Sequence, residues 1–147
     1  MYEGGCECGA VRYRMTAEPI FVNCCHCRDC QKITGSAFAI NAMIEADRVE
    51  LLEADSLATE GGEARCKQCG ALLWAQHRLF GDNVLFLRLG TLDEGDRIQP
   101  NAHFFTRSKH SWIIIPEDVP QFETLPTVDD PPLMSPESQA RLGAARA

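Results

Sequence analysis

The sequence has no apolar run approaching the roughly 20 residues that a membrane-spanning helix needs, so a membrane span is not expected. It has no internal repeat, which sets aside solenoids and propellers. The opening Met1-Tyr2-Glu3-Gly4 lacks the basic and apolar pattern of an export leader, and the expectation is a reducing cytoplasm where disulfides do not persist. No basic block is present either: the 14 Lys and Arg residues are scattered against 21 Asp and Glu, for a net charge of -7. Two zinc ions with seven deprotonated thiols would take that charge to about -10, which argues against a nucleic-acid partner. Finally, no cysteine follows Cys69, so all thiol chemistry belongs to the first half.

What the chain does have is cysteine, eight in 147 residues. With disulfides disfavoured, that content points to metal. The densest stretch is Cys24-Cys25-His26-Cys27-Arg28-Asp29-Cys30, followed by Gln31-Lys32-Ile33-Thr34-Gly35. Sulfurs at Cys25, Cys27 and Cys30 can turn toward one point, and a thiophilic cation makes such crowding of thiolates favourable. Three protein ligands and one vacant position is the arrangement of a catalytic zinc. The plainer alternative is that Cys24 or His26 completes the shell and the site is inert; a disulfide between the adjacent Cys24 and Cys25 would be strained.

Cys6-Glu7-Cys8 and Cys66-Lys67-Gln68-Cys69 are two further clips, each beside glycine (Gly5, Gly9, Gly70) that lets backbone amides aim at sulfur. Together they make a four-thiolate tetrahedron with no room for a substrate, hence a structural zinc. The alternative is four unconnected buried cysteines.

Between these clips the pattern is that of short strands. Ala10–Thr16 alternates Val11, Tyr13 and Met15 with Arg12 and Arg14. Phe38–Ile44 and Arg48–Leu52 are strand-like and joined through Glu45-Ala46-Asp47; Leu57–Glu60, Ala71–Ala75 and Asn83–Leu89 continue the series. Cys27–Thr34 is read as a short helical turn closed by Gly35. Such short strands with glycine turns predict a mainly antiparallel β domain over residues 1–122. Six of the eight prolines lie between Pro116 and Pro136, so the tail, residues 123–147, is expected to lie over the surface without forming a sheet. Ser135-Pro136 is placed to cap a short helix through Arg146.

With these motifs in view, the sequence resembles the glutathione-dependent formaldehyde-activating enzyme family, which also includes centromere protein V. The resemblance rests on Gly5-Cys6-x-Cys8-Gly9-x-Val11-Arg12, Cys25-His26-Cys27-x-x-Cys30-Gln31-Lys32-x-Thr34-Gly35, Cys66-x-x-Cys69-Gly70, Gly90-Thr91-Leu92-Asp93, and His103 with Lys109 and Trp112. It implies a zinc-binding β-tent of antiparallel sheets, a structural zinc at Cys6, Cys8, Cys66 and Cys69, and a second zinc at Cys25, Cys27 and Cys30. It also implies a carbon-sulfur lyase reaction, in which a small thiol such as glutathione adds to an aldehyde such as formaldehyde or the adduct is cleaved. The basic extension of centromere protein V is missing, so its chromatin role does not carry over. Methionine sulfoxide reductases share the β-tent but need a late nucleophilic cysteine that this chain lacks.

For chemistry, His103 is a candidate to carry a proton near the three-cysteine site and Lys109 to attract a substrate carboxylate. The bland alternative is a histidine satisfied by backbone, a lysine on the surface and Trp112 in the core; Phe104, Phe105 and Ile113 to Ile115 read as core. Against the enzyme stands a second class of function, a zinc-stabilised binding or metal-handling module with no turnover.

Overall fold

The computed structural model describes residues 1–147. Ten strands form two sheets. β1 (Tyr2–Gly5), β2 (Arg12–Met15) and β5 (Val49–Glu53) make the small one, in the order β1-β2-β5. The large one uses β3 (Phe21–Cys25), β4 (Ala39–Glu45), β6 (Leu57–Glu60), β7 (Glu63–Cys66), β8 (Leu72–His77), β9 (Gly81–Arg88) and β10 (Ala102–Phe104), in the order β10-β3-β4-β9-β8-β7-β6.

Alternation along the central strands decides which residues face which layer. Val22, Ala42 and Leu87 lie in one row across β3, β4 and β9, and they pack with Tyr13 and Met15 of the small sheet. This main core lies between the sheets, with Tyr13 edge-on to Trp74 at 5.7 Å between ring centroids. Phe21, Met43 and Phe86 form the neighbouring row on the opposite face. There a second apolar cluster is covered by Leu133, Met134 and Leu142 of the carboxy-terminal segment.

β1 falls where the sequence suggested only a turn, and its glycines explain how. A Cβ on Gly4 would come 2.5 Å from the Thr91 carbonyl and 2.8 Å from the Tyr13 hydroxyl, so the strand lies flush on both.

The pairing is antiparallel throughout except for β10 on β3, which is parallel, with His103 opposite Cys24. The prediction of antiparallel sheets therefore needs this one correction: the chain reaches β10 after a long excursion through residues 89–101 rather than a hairpin. Beyond β10 the proline-rich segment makes a strand-like contact that its composition disfavours. Prolines cannot donate, but the Pro120 carbonyl accepts from the His103 amide at 2.9 Å, and Phe122 donates back to His103 at 3.0 Å.

Helix α1 (Arg28–Thr34) begins at Cys27, whose Sγ accepts from the Cys30 amide at 3.3 Å, and ends at Gly35 in the left-handed conformation. Helix α2 (Pro136–Arg146) is capped by Ser135, which accepts from the Ser138 amide at 3.1 Å. Arg141 on α2 pairs with Glu45 at the end of β4, at 2.8 and 2.7 Å. Phe105 is the one non-glycine residue with positive φ, 57°. It turns the chain from β10 into the 3-10 turn Thr106–Ser108.

The core expectation fails at two residues. Trp112 is 70% exposed and Ile114 90%, because their segment has no strand partner; the Trp112 ring stacks only on His110. Ile115 is buried, and Phe104, Phe105 and Ile113 are half-buried.

Candidate metal centres

All eight cysteines are free, and seven of them gather into two groups. The first joins the turn after β1 to the turn between β7 and β8. The Sγ atoms of Cys6, Cys8, Cys66 and Cys69 all lie within 4.8 Å of one another, with Cys6 to Cys8 at 3.5 Å and Cys8 to Cys66 at 3.7 Å. A tetrahedral ion with bonds of about 2.3 Å has ligand edges of about 3.8 Å, so these spacings fit. Backbone amides aim at the sulfurs: Val11 donates to Cys6 at 3.2 Å. The Cys8 and Ala71 amides pull the Cys69 thiol down to about 6. Donors pointing at sulfur favour thiolate, the form that binds a cation.

The second group sits where β3 runs into α1. Cys25, Cys27 and Cys30 bring their sulfurs within 4.8 Å of one another, and no fourth His, Cys, Asp or Glu comes into the same reach. Cys24 alternates to the other face of β3, and burial pushes its thiol up to about 12. Cys25 is pulled down to about 6, first by a hydrogen bond from Cys30 and then, against its burial, by the Cys27 amide; Cys30 is correspondingly pushed up. Three thiolates this close repel, so a cation is needed for all to ionise together, and the donor set suits a thiophilic metal.

His26 turns away from the sulfurs. Its Nε2 meets His103 Nδ1 at 2.8 Å, and both rings are buried. Burial first, then the nearby His103, Lys109 and His110, push His26 down to about 4; burial alone lowers His103. The Phe38 ring lies 4.8 Å from His26 and 6.2 Å from His103. The His26 carbonyl accepts from Gln31 Nε2 at 2.8 Å, and the same nitrogen reaches the Ser108 carbonyl at 3.0 Å. Lys109 Nζ donates to the carbonyls of His110 at 3.3 Å and Ile113 at 2.6 Å, so its ammonium is engaged with its own loop.

Phe38 and Thr34 also wall a cavity of about 400 Å³, with Ala39, Ile40, Arg88 and Thr91. No cysteine lines this cavity; its link to the three-sulfur group is Ala39, which pairs with Cys25 across β3 and β4. A second depression of about 490 Å³ lies between Glu45, Arg48 and Arg141.

The sequence reading passed over one row of this site. Asn23, Asn41 and Arg88 lie side by side across β3, β4 and β9, on the face that carries Cys25. Arg88 Nη1 donates to Asn41 Oδ1, and Asn41 Nδ2 donates to Asn23 Oδ1 at 3.3 Å. The signal was a lone polar residue inside each of three otherwise apolar runs.

Two sheets packed on a main core, with sulfur groups of four and three that could each hold a metal ion, define a cysteine-rich β protein. The chain belongs to the glutathione-dependent formaldehyde-activating enzyme family, whose model matches residues 1–108. A Halomonas elongata protein named "Putative glutathione-dependent formaldehyde-activating enzyme" is 28% identical over 127 residues, 78% of this chain and 81% of that one. Among solved structures, a Rhodobacter sphaeroides protein aligns with a TM-score of 0.50 at 21% identity, covering 67% of this chain and 91% of that chain; this likeness bears on the fold alone.

Proposed function

We propose that this chain is a zinc-dependent enzyme of the carbon-sulfur lyase type. It joins a small thiol, glutathione or a similar molecule, to an aldehyde such as formaldehyde, or cleaves the adduct. The observation that carries the reading is the contrast between a group of four sulfurs and a group of three with no fourth side chain in reach. A zinc ion at Cys25, Cys27 and Cys30 would supply Lewis acidity that favours thiolate at neutral pH, while one at Cys6, Cys8, Cys66 and Cys69 would serve the fold. Such thiols stay reduced in the cytoplasm, the compartment this reading assigns.

The rest is done by the chain's own residues. In the joining direction an electron pair on the thiol sulfur forms the carbon-sulfur bond, and the carbonyl π pair moves onto the aldehyde oxygen. That oxygen takes up the proton the thiol gave up. His103 is the group assigned to hold the proton in transit: burial keeps its ring neutral, leaving a nitrogen lone pair to accept. His26, at 2.8 Å, fixes the orientation of that ring. Phe38 covers the apolar side of the pair and keeps water from it. Gln31, by holding the His26 and Ser108 carbonyls, ties α1 to the loop that follows β10. Lys109 acts through its charge and its grip on residues 110–113.

The test is adduct exchange between formaldehyde and glutathione, followed by NMR with the zinc-loaded protein. Exchange above the spontaneous rate, lost in Cys27→Ser, is the expected result. Equal rates with and without loaded protein, across several small thiols, would leave a non-catalytic zinc module as the better reading.

A further inference from the structure

The cavity walled by Ala39, the residue paired with Cys25, contains a single charged side chain, Arg88, and no carboxylate of the protein pairs with it. Arg12, Arg14, Arg65, Arg97 and Arg141 each pair with a carboxylate of the protein. Arg88 pairs with none, and among the arginines without a carboxylate partner it is the one that is not exposed. Instead it is half-buried in the wall of the cavity, with no Asp or Glu among the lining residues. Its Nη1 donates to Asn41, whose own amide is held by Asn23, so two uncharged side chains orient the guanidinium without neutralising it. Its Nε is buried with no acceptor. An orphaned donor on a poorly solvated cation is costly until an acceptor, best an anion, reaches it.

The position of this cation defines what can satisfy it. Arg88 faces the same side of the sheet as Cys25, two strands across and two residues along, which places the two Cα atoms about 12 Å apart. The arginine side chain, turned toward Asn41 on the intervening strand, spans part of that gap. What remains is a distance of a few bonds between a sulfur at the cysteine group and an anion at the guanidinium.

We propose that Arg88 is a carboxylate-binding subsite, and that the thiol substrate is a thiol acid carrying its carboxylate a few bonds from sulfur. The proposal rests on the thiol–aldehyde reading above and narrows it. Lys109, the cation first assigned to a substrate carboxylate, has its ammonium bound to two backbone carbonyls, whereas Arg88 has donor capacity unused.

The experiment compares 3-mercaptopropionate with 3-mercaptopropanol, which differ in replacing carboxylate by an alcohol, as ligands of the full zinc-loaded chain in titration calorimetry. A charge-assisted contact of this kind should favour the acid by about tenfold or more. Arg88→Gln should bring the two thiols within about twofold of each other. Zinc counting and the affinity for the alcohol separate loss of the subsite from damage to the cysteine group, and where both fall the propionate arm below decides. Arg88→Lys should keep part of the preference.

Sulfur-free propionate supplies the arm that needs no variant, and it decides the matter if Arg88→Gln does not fold: it should shift the Arg88 Nε–H resonance of the native protein. Absence of any preference in the native chain, an undiminished preference in Arg88→Gln, or an Arg88 resonance indifferent to propionate each overturns the proposal. A protein that prefers the acid yet shows no aldehyde turnover keeps the subsite and loses the lyase reading. Turnover with no preference between the two thiols does the reverse.

Discussion

Cys8 and Cys66 stand 58 residues apart in the chain, whereas Cys25, Cys27 and Cys30 occupy one corner between β3 and α1. An ion held by the first group would cross-link distant parts of the domain, closing a long loop and tying β1–β2 to β7–β8. One held by the second closes only a few residues that the backbone has already organised. Cys27 caps α1, Gly35 ends it, and Gln31 anchors it from within. Ligand count and chain separation therefore point the same way: the four-sulfur group falls where distant strands need connecting, and the three-sulfur group where local hydrogen bonds already organise the backbone.

The sharpest way to break this contrast is to remove one ligand from each group. Cys66→Ser, buried at the end of β7, is expected to cost more than about 4 kcal/mol, the scale of losing a structural metal. Denaturant unfolding with zinc counting checks it, and a stably folded variant would refute the cross-link. Cys27→Ser should behave differently, because serine still caps the helix while no longer ligating zinc well. The expected outcome is one ion fewer, stability within about 1 kcal/mol, and adduct exchange at the spontaneous rate; Cys27→Ala should cost about 1 kcal/mol more by losing the cap as well. Unfolding of Cys27→Ser on the scale of Cys66→Ser would erase the distinction between the groups.

A third attachment, α2 on the large sheet, involves no cysteine. Arg141→Met should cost about 1–2 kcal/mol and expose residues 133–147 to proteolysis, since Glu45 loses its partner. Burial pushes the Glu45 carboxyl up, but the Arg141 hydrogen bond outweighs it and the group is held below its ordinary value of 4.5. A lowered carboxylate contributes its stability fully above that ordinary value and loses it as pH falls through the lower folded value. Helix α2 should therefore become protease-sensitive in acid below about pH 4.5, and in Arg141→Met this acid step should be weaker. The smallest effect is expected at the surface: Trp112→Ala should change stability by less than about 0.5 kcal/mol, read from thermal unfolding, because its ring is 70% exposed.

What was legible in the sequence follows from where its signals are local. The two helices were visible from their end signals, Gly35 closing the first and Ser135 with Pro136 opening the second, because capping chemistry needs only neighbours; the Cys27 cap of α1 was not foreseen. Most strands were visible from alternation. The grouping of Cys6-Cys8 with Cys66-Cys69 was also foreseen, and the structure brings those sulfurs together. β1 was hidden because Gly4 and Gly5 carry no hydropathy signal; Gly4 lies against the Tyr13 ring and Thr91 carbonyl, and Gly5 against the Val11 carbonyl and the Arg12 side chain. The exposure of Trp112 and Ile114 was hidden because an apolar run does not reveal whether it has a sheet to join. The Asn23-Asn41-Arg88 row was hidden because strand register, not sequence proximity, assembles it.

Phe105 takes a backbone conformation that disfavours any side chain, at a cost on the order of 1–2 kcal/mol. That bend delivers the Ser108 carbonyl to Gln31, and Gln31 in turn steadies the peptide between Cys25 and Cys27. A bend some eighty residues downstream is thus linked, through one amide nitrogen, to the three-sulfur corner. Substitutions that relax it should weaken zinc retention at Cys25, Cys27 and Cys30, read by zinc counting, while leaving every sulfur in place.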